Sequence, residues 1–273
     1  MMYLYAHQRD GGCKMGLITA VIATALCAVV YVRMYKREIP EPIGRKQALI
    51  PVALGVVAAL LMMPVFLGVG LLIAAVVPGG IAEVVPSPFL RSFVSAFLMA
   101  GFTEELVKLL MFLIVVRVVK PKNVYEYGLL CAGVGFGFTG LEDLIYGMTN
   151  PVGSIFRVLF FAMHMVFGLL MGVELGLARF SKRAGTGGSV KHTLLALVLP
   201  VLWHTVFDAS TTTNAALNAT EEHAQIIGVV VALVVCAISI ALQFVVLIRF
   251  KRDTEKLCGM SVVDDAQPAE TQE

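Results

Sequence analysis

Seven long apolar stretches dominate the sequence and limit what the chain can fold into. Each approaches or exceeds the length of about 20 residues that an α-helix needs to cross the hydrocarbon core of a bilayer. Hydrophobic residues make up 58% of the 273 residues and charged residues only 15%, which argues against a soluble globular domain. We therefore predict an all-α, polytopic transmembrane bundle with about seven spans, at residues 16–32, 48–76, 89–117, 127–147, 156–178, 193–212 and 225–248.

Lysine and arginine concentrate on every second connection between these spans. Sixteen of the 21 basic residues follow the first, third, fifth and seventh spans, whereas the other connections carry Glu83, Glu221 and Glu222. Because cytoplasmic loops of membrane proteins are enriched in Lys and Arg, this alternation predicts an N-terminus outside and a C-terminus in the cytoplasm. The net charge of +2 indicates no particular partner, so we expect the lipid bilayer as the environment and no nucleic acid.

The chain shows no repeat at a fixed period, so we predict one transmembrane helical domain over residues 1–252, with its functional core at about 89–212. Residues 253–273 contain several acidic and almost no large apolar side chains, which predicts a disordered cytoplasmic tail. The five cysteines are scattered without CxxC spacing, which favours neither a disulfide framework nor a thiolate metal site.

Ionisable side chains recur inside four of the apolar spans, where one Asp or Lys at the centre of a helix costs about 2.5–3.5 kcal/mol. Exposing the whole set to lipid would cost on the order of 10 kcal/mol, which is comparable with the stability of a domain. We therefore expect these groups to converge on one interior site. They are Glu104, Glu105 and Lys108 in the third span, Glu142, Asp143 and Tyr146 in the fourth, Arg157 and His164 in the fifth, and His204 and Asp208 in the sixth.

Helical spacing puts several of these residues on shared faces, since side chains at i and i+4 are neighbours. His204 and Asp208 have this spacing, so the carboxylate can orient the imidazole. Taken singly, Arg157 is explained as an interfacial cation and Asp143 as a residue near the outer interface. Taken together, the glutamates and histidines are of the types that bind zinc or activate water.

Small residues support this convergence, because lipid provides no hydrophobic drive for helix association and close backbone contact must replace it. The fifth span continues from His164 to Gly168, Gly172 and Gly176 at strict four-residue spacing. We expect this helix to pack closely against a neighbour.

Four motifs in this order on consecutive helices resemble the PrsW family of intramembrane proteases. They are Glu104-Glu105-x-x-Lys108, Glu142-x-x-x-Tyr146, His164 in a Gly-rich span, and His204-x-x-x-Asp208. The resemblance runs from about Gly101 to Asp208, and the family is similar in turn to the CAAX prenyl protease and bacteriocin-processing group. One position departs from the pattern: the family usually has Phe before the second-motif Glu, where this chain has Leu141. That exchange of one apolar residue for another affects packing more than chemistry.

The resemblance implies an intramembrane endopeptidase of a bacterial plasma membrane that cleaves membrane-anchored proteins, for example anti-sigma-factor-like substrates. Glu104 is then the general base, and zinc is the expected cofactor, with a metal-free reaction as the alternative. The predicted catalytic residues are Glu104, Glu105, Glu142, His164, His204 and Asp208, supported by Lys108, Tyr146 and Arg157, and the predicted metal ligands are Glu105, Glu142, His164 and His204.

Two other functions remain open from the sequence. A non-catalytic scaffold similar to the Aph-1 subunit of γ-secretase would keep polar residues only to hold its helices together. A proton or ion transporter would use buried Glu and His as a relay. The transporter ranks lower, because the chain shows neither repeats nor charged residues at several successive depths.

Overall fold

The computed structural model describes residues 2–38, 42–211, 214 and 222–263, and its regular elements are helices. In chain order they are α1 (Met2–Tyr35), α2 (Arg45–Val76), α3 (Ile81–Val84), α4 (Pro88–Ala96), a π-helical turn (Phe97–Gly101), α5 (Phe102–Val119), α6 (Val124–Thr149), α7 (Pro151–Arg157), α8 (Met163–Ala184), α9 (Ser189–Ser210), α10 (Glu222–Arg252) and α11 (Thr254–Cys258).

Among the described residues, six helices are long and apolar enough to cross a membrane: α1, α2, α6, α8, α9 and α10. The predicted all-α polytopic bundle is therefore confirmed. The predicted third span differs from the other six, because the structure divides it into α4, the π-helical turn and α5. Helix α5 contains Glu104, Glu105, Lys108 and Arg117, and so carries more charge than the spanning part of the other six. The count of seven spans stays a prediction.

The π-helical turn lies directly before the first pair of buried glutamates. Its i→i+5 bonding inserts extra backbone into the helix, and such turns often occur at functional sites. The hydroxyl of Thr103 donates to the carbonyl of Leu98, which satisfies one of the backbone groups that the irregular turn releases. A Cβ atom at Gly101 would overlap the side chain of Thr205, so glycine is needed where this turn meets α9.

Helix α6 is the centre of the bundle, with α1, α2 and α8 packed around it. The contact with α8 is as close as two helices can approach, since a Cβ atom at Gly172 would overlap the carbonyl oxygen of Tyr127. The predicted close packing of the glycine-rich span is confirmed. The centre of the protein is thus held by backbone contact, which suits a solvent without a hydrophobic drive between helices.

The four basic connections lie together at one end of the bundle. Tyr125 donates its hydroxyl proton to the carbonyl of Met34 at 2.7 Å, which joins the start of α6 to the end of α1. Arg183 at the end of α8 donates to the carbonyl of Ser261 at 3.1 Å. This grouping agrees with the alternation of charge along the sequence. The side of the membrane that this end faces stays a prediction.

The predicted tail boundary at residue 253 needs a correction. Residues 254–258 form α11, and the side chains of Leu257 and Val262 are buried. The backbone NH of Val262 donates to the carbonyl of Lys122 at 2.8 Å, next to a bridge between Asn123 and Ser261. Cys258 and Met260 pack against the same core, so the segment is held to the bundle by apolar contacts and backbone hydrogen bonds. Four of the six acidic residues of the predicted tail, Asp264, Asp265, Glu270 and Glu273, lie outside the described residues.

Two buried carboxyl groups lie at the same end, Glu38 after the end of α1 and Glu126 in the first turn of α6. Glu38 accepts a hydrogen bond from the backbone NH of Ile43 at 3.0 Å, and Glu126 accepts one from the NH of Lys122 at 2.8 Å. Burial, with the charge of neighbouring Glu126 as a smaller cause, raises the pKa of Glu38 to about 8. Glu38 is therefore protonated in the folded protein at neutral pH.

We predict that Glu38 makes the folding stability fall as the pH rises. The folded protein holds a proton on Glu38 up to a pKa of about 8, whereas an unfolded chain releases it near 4.5. The contribution is complete below the unfolded value and is lost as the pH rises through the folded value. Thermal unfolding in detergent between about pH 5 and about pH 9 should show Glu38→Gln gaining on the wild type as the pH rises. The exposed Glu83→Gln should follow the wild type; equal pH dependence of Glu38→Gln and the wild type would contradict the prediction.

Candidate active site

The structure brings the polar residues of the predicted spans three to six together. Glu104, Glu105 and Lys108 come from α5, Glu142 from α6, His164 from the first turn of α8, and His204 from α9. Glu105 has no exposed surface and Lys108 is 1% exposed, and the glutamate at 104 and both histidines are also buried. The convergence that the insertion energies predicted is present.

Lys108 is the cation at the centre of this cluster. Its Nζ donates to Oε1 of Glu105 at 2.7 Å and to Nδ1 of His164 at 3.0 Å, and it lies 3.6 Å from Oε2 of Glu104. The same ammonium group lies 4.2 Å from the ring centroid of Phe138. A buried charge is tolerated when opposite charges and hydrogen bonds surround it, and Lys108 has both. This position suits the supporting role that the sequence predicted for Lys108.

His204 is held at both ring nitrogens by carboxylates. Its Nδ1 donates to Oε1 of Glu105 at 2.9 Å, while Nε2 lies 3.5 Å from Oδ2 of Asp208 and 3.9 Å from Oε2 of Glu104. The sequence predicted that Asp208 orients this imidazole. The structure adds Glu105 as a second and closer partner, which fixes the ring with Nε2 towards Glu104.

His164 faces α6 through Nε2, which lies 2.7 Å from Oε2 of Glu142. Because Nδ1 accepts a hydrogen bond from Lys108, the ring proton is on Nε2 and is donated to Glu142. The ring of His164 lies 5.1 Å from that of Phe138 and 5.1 Å from that of His204. The two imidazoles are therefore neighbours enclosed by aromatic side chains.

Arg157 has a different place from the one expected for an interfacial cation. It forms ion pairs with both Glu142 and Asp143, and its guanidinium lies 4.7 Å from the ring centroid of Tyr146. Asp143, expected near the outer interface, is only 2% exposed. The reason is α7, a short helix that brings Arg157 back over the end of α6. Because α7 was not predicted from the sequence, the pairing of Asp143 with Arg157 was not predicted either.

The donor set fits a metal ion. Among the described residues, Glu104, His164 and His204 each offer a ligand atom, and these atoms lie within 4.8 Å of one another. Oε2 of Glu104 is buried and accepts no hydrogen bond from the described part of the chain. Imidazoles together with a carboxylate are typical ligands of catalytic zinc, and a carboxylate on the far nitrogen of a ligating histidine is its usual support.

The predicted ligand set of Glu105, Glu142, His164 and His204 shares both histidines with this group. Glu105 contacts Nδ1 of His204, on the opposite side of the ring from Glu104, so its position suits the orientation of His204. Glu142 contacts Nε2 of His164 and so lies where a metal ion on that nitrogen would be. The geometry thus offers two imidazoles and two carboxylates, with Glu105 behind them.

A cavity of about 880 Å³ adjoins these groups. Glu104, Glu142, His164 and His204 form part of its wall, and Met and Phe side chains form much of the rest. Water and a substrate therefore have space beside the carboxylates.

The fold and the site together define a multi-pass membrane protein with a buried Glu–His centre of the hydrolytic type. Residues 45–241 match the family described as PrsW family intramembrane metalloprotease, and the chain belongs to that family. This confirms the predicted family, and the chain is an intramembrane protease. The matched region contains all the predicted site residues.

Two relatives share this family. Protease PrsW of Halalkalibacterium halodurans is 27% identical over 196 residues, which cover 71% of this chain and 82% of that protein. Protease PrsW of Bacillus subtilis is 34% identical over 122 residues, which cover 43% of this chain and 54% of that protein. No solved structure matches the chain.

We predict that Lys108→Met destabilises the fold by about 3–5 kcal/mol, because it leaves buried carboxylates without their cation. Lys108→Met combined with Glu105→Gln should recover part of that loss, since the uncompensated charge is removed. Thermal unfolding in detergent measures both. Arg117→Met is the matched control, since Arg117 is an exposed cation on the same helix. Additive effects of Lys108→Met and Glu105→Gln would contradict the coupling.

Proposed function

We propose that the chain hydrolyses peptide bonds of membrane-anchored proteins with a water molecule that Glu104 activates. The observation that carries this proposal is Oε2 of Glu104, a buried carboxylate oxygen to which no described residue donates a hydrogen bond, beside a cavity and two imidazoles. A general base needs such an accepting atom within reach of the water that it deprotonates. Oε2 of Glu105 also lacks a donor among the described residues, but Glu105 has no exposed surface and does not line the cavity, and its Oε1 accepts from Lys108 and His204.

Amide hydrolysis also needs a donor for the developing oxyanion and a proton for the leaving nitrogen. In a metal-free reaction, Nε2 of His204, which lies between Glu104 and Asp208 on the cavity wall, is the donor to the oxyanion, and Glu104 passes the proton of the water to the leaving nitrogen. Glu105 holds the other nitrogen of this ring, and Asp208 limits its rotation. Lys108 balances the negative charge of Glu104 and Glu105, and Glu104 accepts its proton from the water molecule.

Zinc is the cofactor that we propose for this site, held by His164, His204 and Glu142, with Glu104 beside it as the base. When bound, the ion supplies a Lewis acid that polarises the substrate carbonyl and acidifies water. Arg157 pairs with Glu142 and keeps that carboxylate against His164. Glu105 accepts from Nδ1 of His204 and so fixes that ring for ligation through Nε2.

The setting that we propose is a bacterial plasma membrane, with the N-terminus outside and the C-terminus in the cytoplasm. The four basic connections at one end of the bundle support this orientation. The site then lies towards the outer half of the membrane, within reach of single-span substrates such as anti-sigma-factor-like proteins.

We predict that Glu104→Gln lowers the cleavage rate by a factor of about 10²–10⁴, the usual contribution of a general base. The measurement is the cleavage rate of a membrane-anchored peptide library by purified protein in detergent. Glu222→Gln, an exposed change on α10, should leave the rate within twofold of the wild type. Cleavage that survives Glu104→Gln would exclude Glu104 as the base. A cleavage-deficient but normally folded wild type would instead support the Aph-1-like scaffold, and ion flux in proteoliposomes would support the transporter.

We predict that the purified protein contains one equivalent of zinc by elemental analysis. His164→Ala and His204→Ala should lose the metal, because each removes a proposed ligand, whereas Glu104→Gln should keep it while losing cleavage. His223→Ala is the control, since His223 is exposed at the start of α10. Loss of zinc from Glu104→Gln would make Glu104 a ligand and not the base. Chelation that leaves cleavage unchanged would favour a metal-free reaction.

A further inference from the structure

The lining of the cavity beside the site bears on which substrates are accepted, in addition to how they are hydrolysed. We propose that it receives a short, uncharged, apolar stretch of substrate in extended form, and that Ala59 and Met62 of α2 set the size of the side chain accepted beside the scissile bond. This inference rests on the proposed function, because it names the substrate class of the same site.

A short extended segment suits this cavity better than a whole helix, because a backbone carbonyl of the substrate must reach Glu104. The cavity has about 880 Å³, which lies in the range of ligand-binding cavities. In a helix, moreover, the carbonyl groups are bonded to amides one turn later and are enclosed by side chains. The substrate must therefore unwind locally before a carbonyl can reach Glu104.

One wall of the cavity is placed to contact the side chain next to the cleaved bond. Ala59 and Met62 line the cavity and pack in one cluster with Phe138. The ring of Phe138 lies 5.1 Å from that of His164 and also contacts Lys108. This cluster joins α2 directly to the polar groups. A side chain that points from the site towards α2 must fit against Ala59 and Met62.

The rest of the apolar wall is adaptable. Met63, Met99 and Met163 line the cavity, and Met63 on α2 is 73% exposed on the surface of the chain. Methionine is unbranched and polarisable, so it fits apolar partners of different shapes. We therefore expect several large apolar side chains to be accepted, within the limit that Ala59 and Met62 set.

The charges that face the cavity exclude acidic side chains. Glu104, Glu142 and Asp208 line it, and Arg157 is the cation on the wall. Arg157 is already paired with Glu142 and Asp143. An acidic substrate residue would therefore enter a site with a surplus of carboxylates and little water, where an unpaired charge is costly.

The test uses single-span peptides that carry Ala, Leu, Phe, Asn or Asp on each side of the cleaved bond, which mass spectrometry locates. Two variants change the wall in opposite directions: Ala59→Leu narrows it and Met62→Ala widens it. One methylene group in a hydrophobic pocket changes discrimination by about 10- to 200-fold. Ala59→Leu should therefore lower the ratio of kcat/KM for Phe over Ala at least tenfold. Met62→Ala should raise the same ratio at least threefold.

Ala53→Leu is the matched control, since Ala53 is an exposed alanine on the same helix, and it should leave the ratio unchanged. For the wild type, Asp beside the cleaved bond should lower kcat/KM at least a hundredfold relative to Leu. Asn, which has the same shape without the charge, should lower it much less than Asp. A general folding defect would not move the Phe-to-Ala ratio in opposite directions in the two variants.

Binding of the same peptides to Glu104→Gln protein, measured by fluorescence anisotropy, separates this inference from the proposed function. Binding that prefers Phe over Ala and shifts with Ala59→Leu and Met62→Ala, without cleavage by the wild type, supports the inference and overturns the function. Cleavage by the wild type with a ratio that neither variant changes supports the function and overturns the inference. Equal cleavage of Asp and Asn peptides would overturn the charge exclusion.

Discussion

The pairing of Lys108 with Glu105 is the interaction on which the rest of the site depends. Inside a membrane no water is available to solvate a charge, so each ionised group needs a partner of opposite sign. Lys108 joins α5 to α8 through His164, and Glu105 joins α5 to α9 through His204. The residues that carry the chemistry therefore also hold three helices together, where lipid supplies no hydrophobic drive. The same hydrogen bonds and ion pairs therefore fix the geometry of the site and stabilise this part of the bundle.

The sequence predicted those parts of the structure that the membrane dictates. A long apolar segment is stable in a bilayer as a helix, so the helices could be predicted. Polar residues within such helices cost least in the interior of the bundle, so the convergence of Glu104, Glu142, His164 and His204 could be predicted too. The parts that depend on local geometry did not follow. The π-helical turn, the short helix α7 and the pairing of Arg157 with Asp143 leave no periodic signal. The packed segment 254–263 is too short to be recognised beside the polar residues that follow it.

Packing is uneven across the bundle, and the site lies where it changes. In α6 and α8 most of the spanning window is buried, 67% and 61%, whereas in α2 and α10 the figures are 17% and 11%. The groups on α6 and α8 thus stand on the most buried helices. The cavity, in contrast, takes part of its wall from α10, which has few partners within the described chain. The chemical groups and this part of the cavity wall therefore lie on different helices.

The π-helical turn before Glu104 has a consequence for how this segment can vary. Its extra backbone decides which way α4 faces relative to α5, because one residue corresponds to a rotation of about 100° in a regular helix. Losing a single residue there would leave Glu104, Glu105 and Lys108 with their mutual spacing intact but would turn α4 away from α9. Length variation in this family should therefore avoid residues 97–101, even though none of them carries a charge. The π-helical turn therefore sets the orientation of α4 relative to α5, although it contributes no catalytic side chain.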